Sequence, residues 1–118
     1  MLSKRSKGDI GELFAIRLLS NLGYNLIERN FHSKFGEIDI IAQDGNTLSF
    51  LEVKTRWSKK YGKPEESITP NKIRKIKKTI DYYLLMHNLK NIKNYKIEIV
   101  ALEADAGIIT SSKIIRYD

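Results

Sequence analysis

The 118-residue chain contains no cysteine, two prolines, one tryptophan and two histidines. Without thiols there is no disulfide framework, no thiolate zinc site and no cysteine nucleophile, and a reducing compartment is permitted. The two histidines, His32 and His87, are isolated in sequence and read as structural. No apolar run approaches the ~20 residues of a membrane span. The charged segment Met1 to Lys7 is not followed by an apolar stretch of signal-peptide length, so the expected setting is cytoplasmic and away from a membrane. Repeats, low-complexity tracts and linkers are also missing. What remains is 42% hydrophobic and 30% charged, the make-up of a single domain over residues 1–118. A chain of this size buries roughly two-thirds of its unfolded surface, enough for one core without staples.

Charge is what the chain has in excess, and it is concentrated. Twenty-one Lys and Arg stand against 14 Asp and Glu, a net of +7. Between Lys54 and Lys78 lie ten basic residues and two acids, so that window carries +8 and the rest of the chain −1. Such a block gives a polyanion, nucleic acid above all, a field that raises encounter rate and salt-sensitive affinity. Lysines on a helix face are also often simply solvated, and composition alone does not separate the two.

Periodicity divides the chain into elements. From Lys7 to about Gly23, Ile10, Leu13, Phe14, Leu18 and Leu22 keep helical spacing, widened by Ala15, Ile16 and Leu19. A helix apolar around most of its circumference is expected to be covered on more than one side. Strands are predicted over Tyr24 to His32, Glu37 to Ala42 with Ile38, Ile40 and Ala42 on one face, and Leu48 to Lys54. Asp44-Gly45-Asn46 supplies the turn between the last two. After an irregular loop with Gly62 and Pro64, Thr69 as cap and Pro70 in the first turn start a second helix, whose stripe is Ile73, Ile76, Ile80, Leu84 and His87. Tyr95 to Leu102 alternates as a fourth strand, and Ile108 to Tyr117 is a weaker fifth. The order αβββαβ(β) predicts an α/β domain with a mixed sheet.

Strand parity places the chemistry. Glu37 and Asp39 share one side of their strand, as do Glu52 and Lys54 of theirs. A two-residue loop at Gly45-Asn46 sets Asp39 opposite Glu52 and Glu37 opposite Lys54; a loop at Asp44-Gly45 shifts the register but leaves all four on one face, whereas a three-residue loop without a bulge would split them. Two facing carboxylates repel and raise each other's pKa, so they call for a compensating cation. Hard oxygen ligands suit Mg²⁺ or Mn²⁺, and Lys54 adds an ammonium suited to phosphate charge. The bland alternative is an exposed cross-strand ion pair worth at most ~1 kcal/mol. Glu12 falls between Leu19 and Ile16 on the helix wheel, an odd place for a carboxylate unless something polar lies against it. Trp57 and Tyr61 in the basic loop either stack on unpaired bases or pack, and Tyr82 and Tyr83 read as core or interface residues.

The pattern Ile38-Asp39, strand turn, Glu52-Val53-Lys54 resembles the PD-(D/E)xK signature of restriction-endonuclease-like nucleases, with isoleucine in the proline slot. Gly11-Glu12, Arg29-Asn30, Phe35-Gly36-Glu37-Ile38-Asp39, Glu52-Val53-Lys54-Thr55-Arg56 and Ser67 to Lys72 extend the likeness to the YraN-like family of small bacterial proteins, over roughly Lys7 to Val100. The resemblance implies a restriction-endonuclease-like mixed sheet flanked by helices, similar to archaeal Holliday-junction resolvases, and a metal-dependent nuclease site. It makes Asp39 and Glu52 metal ligands for Mg²⁺ or Mn²⁺, Lys54 the catalytic lysine and Glu12 an additional catalytic acid. In the late strand, where the family tends to have Arg-Phe-Asp, this chain has Lys96-Ile97-Glu98, and Glu98 reads as an exposed strand residue.

The function expected from these residues is endonucleolytic hydrolysis of DNA, branched or single-stranded, with DNA favoured over RNA as the partner. Arg56, Lys59, Lys60, Lys72, Arg74, Lys75 and Lys78 are the expected nucleic-acid contacts. A symmetric cut needs two sites and hence a homodimer. Two other classes stay open: a non-catalytic nucleic-acid-binding module with this fold, and an assembly protein whose basic helix meets an acidic partner.

Overall fold

The computed structural model describes residues 4–58, 62–89, 92 and 94–117. The elements are α1 (Lys4–Asn21), β1 (Asn25–Ser33), β2 (Gly36–Asp44), β3 (Thr47–Arg56), α2 (Pro70–Met86), β4 (Tyr95–Asp105) and β5 (Ile108–Arg116), with a 3-10 turn at Pro64–Ser67 before α2. The five strands form one sheet in sequence order. Three neighbouring pairs are antiparallel and β3–β4 is parallel. A parallel pair needs a crossover, and α2 supplies it. The result is the mixed α/β sheet flanked by helices that the sequence predicts, with the weak fifth strand realised as a nine-residue edge strand.

Each helix covers one face. Ile73, Ile76, Ile80, Tyr83 and Leu84 of α2 pack on Ile41, Leu48, Phe50 and Ile97. Tyr83 meets Phe31 and Phe50 edge-on at 5.1 and 5.7 Å between ring centres. Thr69 caps α2 by accepting the Lys72 N–H at 3.2 Å, and Pro70 occupies its first turn. His87 lies past the last turn and is exposed, so the apolar stripe stops at Leu84.

On the other face Ala15 and Leu19 of α1 pack on Ile40, Ala42, Leu51, Val100 and Leu102. This helix is covered on one side only: Leu13 is 52% exposed and Phe14 is exposed as well, as is Leu22 just past its end. The expected cover on a second side is therefore absent among the described residues. At Gly11 α1 lies close to β3. A Cβ at Gly11 would collide with Thr55 Oγ1.

Ile38 and Ile40 do not share a face. Ile38 joins the α2 side, while Ile40 and Ala42 join the α1 side. The partner strand switches at the same level, since Arg29 reaches Glu12 of α1 whereas Phe31 packs on the α2 side. Between them Asn30 sits at φ +53°, a left-handed residue that breaks the two-residue alternation. Asp39 lies at this break.

Candidate active site

The β2–β3 ladder pairs Asp44 with Thr47 through to Ile40 with Leu51, across a two-residue Gly45-Asn46 turn. Gly45 at φ +61° provides the conformation such a turn requires. Past Leu51 a side chain takes over from the ladder: Asp39 Oδ2 accepts the Val53 N–H at 2.8 Å. Asp39 thereby lies beside Glu52, which is 5% exposed. Burial first, then the charge and hydrogen bond of Asp39, push the Glu52 carboxyl up to about 9, against the pull of Lys72 and Lys54. Near neutral pH Glu52 therefore holds its proton beside Asp39.

Two lysines face this pair. Lys54 follows Glu52 by two residues on the same side of β3, and Lys72 comes from the capped first turn of α2. Burial together with the neighbouring Lys54 depresses Lys72 below its ordinary value, while Glu52 and Asp39 oppose the shift. The sequence reading puts Lys72 with the phosphate contacts of the helix; the fold brings it into the carboxylate cluster. The Thr69-Pro70 start does fix Lys72 in the first turn, but only the packing of α2 on β3 shows where that turn points.

These four side chains open into a cleft of about 670 Å³, whose walls include Lys7, Glu12, Trp57, Asn71 and Lys75. Glu12 has the polar neighbour its position calls for, in Arg29, whose Nε and Nη2 donate to Oε1 at 3.3 and 3.2 Å. Sequence reasoning notes Arg29 without assigning it this role. Among the described residues no group of three or more His, Asp or Glu forms a preassembled metal cluster. The donor set nonetheless fits a hard divalent cation: Glu52 holds a proton beside Asp39 that a cation would replace, and Asp39 keeps one oxygen beyond the one given to Val53. Glu37 also lines the cleft, although its carboxylate is exposed and lies 3.1 Å from His32 Nδ1.

The expected nucleic-acid contacts divide. Lys75 and Lys78 are exposed on α2, and Arg74 is exposed with Nη2 donating to Asn71 Oδ1 at 3.2 Å. Arg56 is engaged within the fold, 2.9 Å from both Glu103 Oε1 and the Gly62 carbonyl, so it fastens the loop after β3 to β4. Lys59, Lys60 and Tyr61 lie outside the described residues.

Glu98 is not an exposed strand residue. It is 5% exposed and accepts hydrogen bonds from Ser49 Oγ at 2.7 Å and Tyr24 OH at 2.8 Å, with Lys96 Nζ at 3.3 Å. Lys96 is also 2.6 Å from Asp44 Oδ2. Burial alone would depress Lys96, but its hydrogen bonds to Asp44 and Tyr24 and the charge of Glu98 outweigh that and hold it above its ordinary value. Burial and the Glu98 hydrogen bond raise Tyr24. This network joins β2, β3 and β4 at the end of the sheet where β3 and β4 begin, away from the Asp39–Glu52 pair. None of the described helices is long and apolar enough to cross a membrane.

Comparison with known proteins places this geometry in a family. The model of "Uncharacterised protein family UPF0102" matches residues 11–102, a span that includes Glu12, Asp39, Glu52, Lys54 and Lys72. A UPF0102 protein of Persephonella marina is 48% identical over 96 residues, covering 81% of this chain and 82% of the relative. One from Caldicellulosiruptor saccharolyticus is 43% identical over 99 residues, 84% and 83% of the two chains. Another from Sulfurihydrogenibium sp. is 41% identical over 104 residues, 88% and 90%. The chain belongs to the UPF0102 family, the YraN-like group.

Proposed function

We propose that the protein is a metal-dependent endonuclease that hydrolyses DNA phosphodiester bonds, in the manner of Holliday-junction resolvases. The observation that carries this reading is buried Glu52 held against half-buried Asp39 and faced by Lys54 and Lys72 in an open cleft. Two acids forced together in a fold that gains nothing from their repulsion are the mark of a site organised for chemistry.

Asp39 and Glu52 would hold Mg²⁺ or Mn²⁺, and such a cation, when bound, supplies acidity to a water and offsets charge on the phosphodiester. The residues of the chain do the rest. The Val53 amide fixes the Asp39 carboxylate, so the acid pair is preorganised. Lys54 orients the attacking water and stabilises the charge that builds on the phosphorus oxygens, while Lys72 adds a second ammonium on the helix side. The N-terminal end of α2, the positive end of its dipole, favours the same anion. Lys75, Lys78 and Arg74 extend a basic track for the neighbouring phosphates. A symmetric cut at a junction would require two copies of the chain.

The test is cleavage of end-labelled duplex, single-stranded and four-way-junction DNA with Mg²⁺ or Mn²⁺, comparing the wild type with Lys54→Ala. Cutting that needs both the cation and Lys54 supports the reading. Salt-sensitive binding by both proteins with no cutting by either would instead identify a nucleic-acid-binding module, the reading favoured by the engagement of Glu12 with Arg29.

A further inference from the structure

The sole tryptophan stands in the wall of the cleft that holds the acid pair and contributes to neither apolar cluster among the described residues. A large aromatic ring ordinarily contributes to a core through its buried area. Trp57 is only half-buried, and its ring faces a cation, Lys7 Nζ, 5.7 Å from the ring centre. Lys7 comes from the first half of α1 and Trp57 directly follows β3, so two separate elements bring an aromatic face and an ammonium to one rim of the cleft. That combination serves sequence-tolerant recognition of a nucleic-acid base and its phosphate.

The position of the ring bears on which nucleic acid enters. The cleft of about 670 Å³ is open, and the ring stands in its wall. Within a duplex the faces of the bases are stacked on their neighbours. A ring in this wall meets a base face only when that base has left its stack.

We infer that Trp57, with Lys7, is the stacking platform for an unpaired base next to the scissile phosphate, and that the strand entering the cleft is single-stranded DNA, free or exposed at a branch. The inference rests on the nuclease reading for the identity of the polymer and adds to it a substrate class and a specificity-determining residue.

Because Trp57 is the only tryptophan, its fluorescence reports the contact directly. The experiment titrates a short single-stranded oligodeoxynucleotide and a blunt duplex of the same sequence into the full chain carrying Glu52→Gln, so that no cutting intervenes. The expected result is saturable quenching by the single strand, little by the duplex, and a roughly ten- to hundredfold loss of single-strand affinity, measured by anisotropy of a labelled strand, on adding Trp57→Ala but not Trp57→Phe. Equal quenching by the duplex, or equal single-strand affinity of the Trp57→Ala protein, would overturn the inference. The titration needs no catalysis. Metal-dependent cutting of duplex DNA with an indifferent Trp57 would therefore reject the stacking role alone, and Trp57-dependent strand binding without cutting would reject the nuclease reading alone.

Discussion

Asp39 Oδ2 accepts the Val53 N–H at 2.8 Å, so the acid that prepares the site also ties β2 to β3 where their ladder gives way. The two roles separate by substitution. Asp39→Asn keeps an oxygen for the Val53 amide and is expected to retain stability while losing activity. Asp39→Ala leaves that amide without its partner and is expected to cost a further ~1–3 kcal/mol. Urea midpoints of the two variants check this, and equal midpoints would show that the bond is not structural.

Glu52 gives the site a pH signature. Its carboxyl stands near 9 in the fold against an ordinary 4.5. A raised acid favours folding while it holds its proton, so its contribution is complete below about pH 4.5 and is lost as pH climbs toward 9, because the unfolded chain then binds fewer protons than the native one. Glu52→Gln removes the charge at issue and is expected to raise the melting temperature at pH 8 by at least a few degrees, while leaving it nearly unchanged at pH 4. Melting curves across this range provide the check; parallel curves for the two proteins would contradict the buried-pair description.

On the nuclease reading the basic helix would carry two separable functions. Replacing Arg74, Lys75 and Lys78 by Ala is expected to lower the salt slope of DNA binding by about 0.9 for each phosphate no longer neutralised and to spare the single-turnover rate at saturating DNA. Lys72→Ala is expected to do the reverse, lowering the saturating rate more than the affinity, because Lys72 lies with Lys54 over the acid pair. Log–log plots of affinity against salt and single-turnover kinetics distinguish the two groups.

Glu98 is a structural residue. Glu98→Ala strips partners from Ser49, Tyr24 and Lys96 and leaves an ammonium that is 12% exposed, with only Asp44 to answer its charge. Breaking a buried pair in this way costs about 3–5 kcal/mol. Glu98→Gln, which can still accept hydrogen bonds, is expected to cost less. Denaturant unfolding measures both, and a fall under ~1 kcal/mol for the alanine variant would contradict the network.

Local signals made much of this molecule legible. The Gly45-Asn46 turn alone sets Ile40 against Leu51, and that register brings Asp39 to Glu52. Thr69 and Pro70 mark the start of α2 to the residue. Three features needed distant partners and were beyond local reading. Ile38 changes face at the level where Asn30 adopts a left-handed backbone, which nothing around Asn30 announces. Glu98 is buried because Tyr24, 74 residues away, and Ser49, 49 residues away, converge on it. Lys72 joins the acid pair because α2 crosses from β3 to β4 and returns its first turn to the end of β3. The exposed Leu13 and Leu22 illustrate the converse, since spacing gives a helix its stripe but not the number of neighbours that cover it.

The central claim, that Asp39 and Glu52 form a hydrolytic metal site, is tested most directly by single-turnover cleavage of end-labelled four-way-junction DNA by wild type and Glu52→Gln from parallel preparations. Mg²⁺ or Mn²⁺ is supplied and then withdrawn with chelator. The account predicts cutting by the wild type that stops on chelation, and binding without cutting by Glu52→Gln. Equal cutting by both proteins, or cutting that persists in chelator, would contradict it.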